Sequence, residues 1–320
     1  MVTINNPVTK MTSITNTSTN TGSDVNISIN NSTQNNSVNK DVDSKFNDSN
    51  DTTYKLPEDA KNLLIQQRDN LKYIVKGLTS KKGFGDVDIL PKLNHPNIIK
   101  LIKVLNSDEI RLIGPKDSYW EKAVHLEYMN QGDLIDYVAK HHDEKTYNRD
   151  IVFILKSIAS GIKYLHDLGV VHRDIKPDNI LLNLSNSLNP QSSTLEVKIS
   201  DFECAIVPAP MQICRPTGTI AYAAPESFNH GKLTTKFDIY GFAGVLYALL
   251  HRVTPWYAYD DNAITLMLKS GLNPFTNSNF TPMGYVDTRL ILLCADCYHH
   301  DPEKRPNIDD IISRLNTIKS

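Results

Sequence analysis

The spacing of the hydrophobic residues changes along the chain. Up to about residue 128 they occur in short runs rich in Ile, Val and Leu, which predict strands. These runs lie at residues 98–104, 110–113 and 123–128, and two more lie at residues 180–182 and 197–199. From Leu134 to Leu165 the hydrophobic residues recur every three or four positions, which is typical of two amphipathic helices. We therefore expect an α+β fold with a small, strand-bearing front part, a larger, mainly helical back part, and a ligand site between them.

The segment before the first of these runs is predicted mainly as helix. Within residues 56–74 several leucines recur at helical spacing, and Pro57 suits a first helical turn. Residues 73–76 also fit a short strand. A second helix is predicted between residues 83 and 93, which Pro91 would kink or end.

The N-terminal segment differs from the rest in composition. Residues 1–53 consist mainly of Asn, Ser and Thr, with Phe46 as the one aromatic residue. Such a segment cannot bury enough apolar surface to offset an ordering cost of about 1–2 kcal/mol per residue. We expect a disordered tail over residues 1–53 and a folded domain over residues 54–320.

Composition and charge exclude several classes of partner. The 34 basic and 36 acidic residues give a net charge of -2, without the basic excess that is usual for proteins that bind nucleic acid. The sequence contains no apolar run of about 18 residues that would span a membrane and no signal-peptide pattern at its start. We expect a protein of the cytosol or nucleus. The abundance of Asn, Ile and Lys is typical of AT-rich genomes, such as those of some viruses. If the chain comes from a virus, we expect it in the host cytoplasm. Nothing in the sequence predicts an oligomeric state.

The chemistry-bearing residues cluster in the stretch VHRDIKPDNILL at residues 171–182. This stretch places Asp174, Lys176 and Asn179 in a short loop between an apolar helix and an apolar strand. A carboxylate, an ammonium and an amide so close together suit proton transfer, neutralisation of phosphate charge and metal binding. Asp201 follows the next predicted strand, and with Asn179 it offers the oxygen ligands that Mg²⁺ prefers.

This loop and several motifs in the same order resemble the eukaryotic protein kinase family, serine/threonine type. The loop matches the family pattern H-R-D-x-K-P-x-N in full. Further matches are Ala224-Pro225-Glu226 with the preceding Gly218-Thr219 and Tyr222, Asp238, Arg305, and the segments LNHPNIIKL (residues 93–101) and HLEYMNQGDL (residues 125–134). The resemblance covers roughly residues 73–318. It implies a bilobed protein-kinase-like fold with an atypical N-lobe at about residues 54–126, a hinge at 127–133 and a C-lobe at 134–320.

The resemblance implies ATP and Mg²⁺ as cofactors and a protein substrate with a Ser or Thr hydroxyl. Asp174 would orient this hydroxyl and accept its proton, and Lys176 would neutralise charge on the moving phosphoryl group. Asn179 and Asp201 would bind Mg²⁺ that bridges the ATP phosphates.

The resemblance also assigns the groups that hold the nucleotide. In the hinge, Glu127 and Met129 would offer backbone groups to adenine, and Asp133 would approach the ribose. Lys76 resembles the strand lysine that anchors the ATP phosphates. Its helix partner would be Asp86, one methylene shorter than the usual glutamate. The alternative is that Lys76 and Asp86 are solvated surface charges.

Three features depart from the family pattern. No glycine lies in residues 54–59, where a phosphate-covering loop is expected, and Gly83-Phe84-Gly85 lies too close to the LNHPNIIKL segment to serve as that loop. Glu203 stands where the D-F-G motif has its glycine, and glycine reaches positive φ without cost while Glu does not. The segment before Gly218 has Arg215 where a phosphorylated Thr or Ser is usual, which argues against phosphorylation there as the main switch.

Two functional hypotheses follow. The first is an active serine/threonine kinase, supported by the presence of Asp174, Lys176, Asn179 and Asp201. The alternative is a pseudokinase, a nucleotide-binding or scaffolding module with weak or no transfer, supported by the missing glycine loop and Glu203. A kinase of small molecules is a third, less favoured hypothesis, because the motifs around Gly218 and Glu226 resemble the peptide-binding edge of protein kinases.

Overall fold

The front part of the domain is a five-stranded antiparallel sheet with the strand order β1-β2-β3-β5-β4. The computed structural model describes residues 52–55, 63–68, 71–79, 83–114, 119–140, 144–185, 194–277 and 287–318. The strands of this sheet are β1 (Thr52–Lys55), β2 (Leu63–Arg68), β3 (Leu71–Leu78), β4 (Leu101–Val104) and β5 (Lys122–Glu127). β1 begins two residues inside the segment that the sequence analysis assigns to the tail.

The helix predicted within residues 56–74 is wrong for residues 63–68 and 71–74, which form β2 and the start of β3. The alternative prediction, a strand at residues 73–76, is confirmed by β3. β3 lies inside the sheet, where Val75 is opposite Leu64 of β2 and His125 of β5. Hydrogen bonding along both edges outweighs a weak helical pattern, and β-branched residues such as Val75 fit a pleated surface well. Residues 56–62, which include Pro57, lie outside the described residues.

Two short helical segments follow β3. They are α1 (Gly85–Asp88) and a 3-10 turn (Leu90–Lys92). The helix predicted between residues 83 and 93 is therefore confirmed, but it is shorter than predicted. Pro91 lies in the 3-10 turn, and the chain is extended again at Leu93. This ending agrees with the effect of proline on a continuing helix.

The strand predicted at residues 110–113 is wrong, because these residues belong to α2 (Ser107–Ile113). Asn106 begins this helix: its side chain accepts hydrogen bonds from the backbone N–H groups of Asp108 and Glu109, each at 3.0 Å. The Glu109 side chain in turn accepts from the backbone N–H of Asn106 at 2.9 Å. This capping box satisfies the first N–H groups of the helix and fixes its start.

The back part is mainly helical and includes a small three-stranded sheet in the order β6-β7-β8. The strands are β6 (Gly132–Asp133), β7 (Ile180–Leu184) and β8 (Leu195–Ile199). The helices are α3 (Leu134–Lys140), α4 (Glu144–Asp167), α5 (Lys236–His251), α6 (Asp261–Lys269), α7 (Pro274–Asn277), α8 (Thr288–Cys297) and α9 (Ile308–Asn316). The strands predicted at residues 180–182 and 197–199 and the helices predicted from Leu134 to Leu165 are therefore confirmed.

The core joins the two parts. α5 is buried along almost its whole length, and apolar residues from both lobes share one continuous cluster. Ile99 donates its N–H to the carbonyl of Ile199 at 2.9 Å, and Ile199 donates to the carbonyl of Asn97 at 2.9 Å. These bonds hold the end of β8 beside the N-lobe, so the residues after β8 lie next to β3 and α1. Within the described part of the chain, no helix is long and apolar enough to cross a membrane.

Candidate active site

The loop between α4 and β7 holds Asp174 in a fixed orientation. Asn179 donates from its side-chain amide to the Asp174 carbonyl at 2.8 Å and to Asp174 Oδ2 at 3.0 Å. The other carboxylate oxygen, Oδ1, accepts from the backbone N–H of Thr219 at 3.1 Å. Asp174 is buried, and each of its two carboxylate oxygens accepts one of these hydrogen bonds. The loop therefore presents an oriented carboxylate that suits a general base.

Lys176 links this carboxylate to the segment that precedes α5. Its ammonium lies 3.1 Å from Asp174 Oδ2 and donates to Thr219 Oγ1 at 2.7 Å. Between them, Gly218 has a φ of 69°, and a Cβ at this position would lie 2.4 Å from Asp174 Oδ1. Only glycine allows both the left-handed backbone and this close approach.

Asp238 on α5 holds the backbone at the start of the loop that contains Asp174. Its carboxylate accepts from the backbone N–H groups of His172 at 3.0 Å and Arg173 at 2.9 Å, and it lies 3.0 Å from His166 Nε2. Burial alone would raise the pKa of Asp238, but the contacts with His166 and His172 outweigh it and hold the pKa below its usual value. A buried carboxylate with several donors stabilises the left-handed backbone of Arg173, which has a φ of 67°.

A buried ion cluster lies across the cleft, centred on Lys76 of β3. The Lys76 ammonium is 2.6 Å from Asp86 Oδ2, 2.7 Å from Asp201 Oδ1 and 3.1 Å from Glu203 Oε1. The side chains of Lys76, Asp86 and Glu203 are 10%, 0% and 4% exposed. The predicted Lys76–Asp86 pair is therefore present, and these two residues are not solvated surface charges.

The electrostatics of this cluster favour the charged forms of both Lys76 and Asp201. Burial acts to lower the pKa of Lys76, but the carboxylates of Asp86, Asp201 and Glu203 outweigh it and raise the pKa well above its usual value. Burial acts to raise the pKa of Asp201, but the charge and hydrogen bond of Lys76 outweigh it and lower the pKa. His172 and Lys176 act in the same direction on the pKa of Asp201, with smaller effects.

The glycines of the Gly83-Phe84-Gly85 stretch let α1 approach the Asp201-Phe202-Glu203 segment. A Cβ on Gly85 would lie 1.8 Å from the carbonyl oxygen of Phe202, and a Cβ on Gly83 would lie 2.4 Å from that of Glu203. Asp86 adds a direct bond, since its Oδ1 accepts from the backbone N–H of Phe202 at 3.0 Å. This stretch therefore serves backbone packing beside the site, which agrees with its rejection as the phosphate-covering loop.

Glu203 is accommodated without the backbone strain that its replacement of glycine suggests. Among the described residues of this segment, Asp201 has a left-handed φ, 61°, and Glu203 does not. Phe202 is fully buried and packs edge to face against His172, with ring centroids 4.8 Å apart. The segment is thus held by packing and by the ion cluster. The sequence does not predict the contact between Glu203 and Lys76. The two residues are far apart in the chain, and nothing in the residues around Glu203 indicates that its charge pairs with a lysine of β3.

The three predicted hinge residues lie along one stretch from the end of β5 to β6. The Glu127 side chain accepts from Lys198 Nζ and from the backbone N–H of Lys100, each at 2.7 Å. Met129 is buried in the core that joins the lobes. Asp133 accepts from the backbone N–H of Asp136 at 2.9 Å, and burial is the main cause that raises its pKa. Asp133 lies opposite Leu181 of β7, and Asp174, Lys176 and Asn179 lie in the loop before that strand.

The donor set fits a magnesium ion. The side-chain amide nitrogen of Asn179 donates to Asp174, and its amide oxygen is the atom of this side chain that can bind a cation. Carboxylate oxygens of Asp86, Asp201 and Glu203 lie within 4.8 Å of one another. An amide oxygen and ionised carboxylates are the ligands that Mg²⁺ prefers.

Comparisons with known proteins agree with this fold and site. The family model of the protein kinase domain matches residues 60–315. RGS domain-containing serine/threonine-protein kinase A of Dictyostelium discoideum is 26% identical over 307 residues, which cover 85% of this chain and 26% of that protein. The DNA damage response protein kinase DUN1 of Saccharomyces cerevisiae is 28% identical over 261 residues (78% of this chain, 47% of that protein).

Serine/threonine-protein kinase VIK of Arabidopsis thaliana is 30% identical over 244 residues, which cover 73% of this chain and 50% of that protein. The chain thus spans between about a quarter and a half of the length of these three relatives. The family model covers well over half of the chain. The match to the family model and to these relatives, together with the bilobed α+β fold, shows that this chain belongs to the eukaryotic protein kinase family, serine/threonine type.

Proposed function

We propose that this chain is an active protein kinase that transfers the γ-phosphoryl group of ATP, with Mg²⁺, to Ser or Thr hydroxyls of protein substrates. The observation that carries the proposal is the contact of Lys76 with the buried Asp86 and the partly exposed Asp201, at 2.6 and 2.7 Å. This contact joins the strand lysine, the short helix and the proposed metal ligand in one arrangement. Positioning and electrostatic stabilisation are the main demands of phosphoryl transfer.

Asp174 is the proposed general base. The substrate hydroxyl oxygen forms a bond to the γ-phosphorus while the bond from that phosphorus to the β–γ bridging oxygen breaks, and the hydroxyl proton passes to the Asp174 carboxylate. Lys176, 3.1 Å from this carboxylate, neutralises charge on the phosphoryl oxygens. Thr219 fixes both groups, since it donates to Asp174 and accepts from Lys176.

The nucleotide is proposed to lie between the hinge and the ion cluster. Lys76 contacts its phosphates, Asn179 and Asp201 hold Mg²⁺, and the ion neutralises phosphate charge when bound. Backbone groups of Glu127 and Met129 bind adenine, and Asp133 lies near the ribose. These nucleotide contacts follow from the family resemblance.

The pseudokinase alternative rested on the missing glycine loop and on Glu203. The described residues give it no further support: β1 and β2 form the antiparallel hairpin that precedes β3, and Glu203 fits without left-handed backbone strain. Residues 56–62, between β1 and β2, contain no glycine.

The decisive experiment measures Mg²⁺-dependent transfer of labelled phosphate from ATP to a generic Ser/Thr protein substrate. Wild type is expected to transfer, and Asp174→Asn is expected to lose transfer while it keeps an ATP-induced rise in Tm. Equal inactivity of both, with the ATP-induced rise intact, would support the pseudokinase alternative instead.

A further inference from the structure

We propose that Glu203 is a positioning residue for Lys76 and that it shares this role with Asp86. The proposal rests on the kinase function proposed above, in which Lys76 contacts the ATP phosphates. It gives a role to the residue that replaces the glycine of the D-F-G motif.

Asp86 alone provides an incomplete anchor for Lys76. One of its carboxylate oxygens, Oδ1, accepts from the backbone N–H of Phe202 at 3.0 Å, so only Oδ2 contacts the lysine, at 2.6 Å. Asp86 also lies on a helix of four residues, which has little internal hydrogen bonding to resist displacement. The anchor therefore depends on the contact between α1 and the segment after β8.

Glu203 supplies a second carboxylate from that segment. Its side chain is 4% exposed, and Oε1 lies 3.1 Å from Lys76 Nζ. A carboxylate removed from water is costly unless it is paired, and the contact with Lys76 provides such a pairing. The Glu203 side chain, one methylene longer than that of Asp86, reaches Lys76 from the backbone position that glycine occupies in the D-F-G motif.

The backbone of Glu203 is itself held in place. Gly83 packs so closely on its carbonyl that a Cβ would lie 2.4 Å from this oxygen. Lys76 is therefore held by two acids on two chain segments that pack directly on each other. This arrangement has a functional consequence for Asp201, which also contacts Lys76, at 2.7 Å. With Asp86 and Glu203 holding the lysine, Asp201 can turn its oxygens to Mg²⁺ without releasing Lys76.

The test compares wild type with Glu203→Gln, Asp86→Asn and the double variant. We measure the KM for ATP, kcat, and the binding of a non-hydrolysable ATP analogue with Mg²⁺ from the rise in Tm. Each single variant leaves Lys76 with one of these two carboxylates in place. We therefore expect each to raise the KM for ATP about 3- to 10-fold, with a smaller effect on kcat. The double variant is expected to exceed the product of the two single effects by about 3-fold or more. Glu303→Gln, an exposed glutamate in the C-lobe, is the matched control and is expected to leave the KM unchanged.

Glu203→Gly restores the usual family residue and serves as a second variant, with the same expected rise in KM. The proposal is wrong if Glu203→Gln and Glu203→Gly leave the KM for ATP unchanged, both in the protein with Asp86 and in the Asp86→Asn variant. It is also wrong if they lower the KM, since Glu203 would then compete with phosphate for Lys76. If no variant or wild type transfers phosphate but the analogue-binding data show the same pattern, the proposed activity fails while the role of Glu203 stands.

Discussion

Arg305 and Glu226 form two parallel hydrogen bonds in the core of the C-lobe. Arg305 Nη1 donates to Glu226 Oε1 at 2.8 Å, and Nη2 donates to Oε2 at 2.7 Å. The guanidinium also donates to the backbone carbonyls of Lys236 and His299, each at 2.8 Å. The Arg305 guanidinium thus joins the Ala224-Pro225-Glu226 motif to the start of α5.

Removing Glu226 is expected to destabilise the protein strongly. Glu226→Ala would leave the buried Arg305 guanidinium without its anion, and the loss of one partner of a buried pair costs about 3–5 kcal/mol. Urea denaturation measures the free energy of unfolding. The exposed pair of Arg314 and Asp296 provides the control, since Arg314→Ala should cost less than about 1 kcal/mol. Equal losses for the two variants would contradict the structural role of the buried pair.

Asp238 is expected to make stability depend on pH in the acid range. Its pKa in the folded state lies below its usual value, near 3.9 in unfolded chains. The folded state therefore binds the proton less readily, and the stabilisation is fully present above about pH 5 and decreases as the pH falls through these two values. Asp238→Asn lacks this carboxylate, so the difference in free energy of unfolding between wild type and variant should narrow from pH 6 to pH 3. A constant difference over this range would contradict the prediction.

The catalytic loop could be predicted from sequence because its residues are adjacent in the chain. Asp174, Lys176 and Asn179 lie within six positions, and their spacing alone brings them together. Lys76 and Asp86 were paired from their order relative to other motifs, and the 2.6 Å contact agrees with that pairing.

Other features depended on contacts between distant segments. Residues 63–68 and 71–74 form strands because β2 and β3 each pair on both edges, which no local periodicity reveals. The strand prediction at residues 110–113 ignored Asn106, whose cap decides in favour of the helix. The sequence around Glu203 indicates only its backbone preference, whereas its contact with Lys76 depends on the packing of α1 against the segment after β8.

Gly85→Ala tests that packing directly. The added Cβ would lie 1.8 Å from the Phe202 carbonyl oxygen, so α1 must move and carry Asp86 away from Lys76. We expect stability to fall by about 1–3 kcal/mol and kcat/KM for ATP to fall at least about tenfold. Gly271→Ala is the control, because its φ of 82° imposes strain but no atom lies within 4 Å of the new Cβ. It should cost stability and leave kcat/KM unchanged. Wild-type kinetics in Gly85→Ala would show that the close approach is not needed.

Thr219→Ala is expected to lower kcat. It removes the hydroxyl that accepts from Lys176 at 2.7 Å, and a hydrogen bond to a charged group contributes about 1.5–3 kcal/mol. We therefore expect kcat to fall about 10- to 100-fold. The KM for ATP should change little, since the hydroxyl contacts the catalytic loop and not the proposed nucleotide groups. Thr219→Ser keeps the hydroxyl and should restore most of kcat. Equal loss in both variants would mean that the methyl packing of Thr219 matters more than its hydrogen bond.

The segment from Asp201 to Glu226 is expected to adopt its active arrangement without phosphorylation. Arg173 donates to the carbonyl of Cys204 at 2.6 Å, which connects the catalytic loop to this segment through a backbone group. Arg215 stands where a phosphorylated residue is usual, and the Thr219 hydroxyl already binds Lys176. Phosphatase treatment should therefore leave kcat and the KM for ATP unchanged, and a phosphopeptide map of the active protein should show no stoichiometric phosphate on Thr217 or Thr219. Loss of activity on dephosphorylation, together with phosphate at either residue, would contradict this prediction.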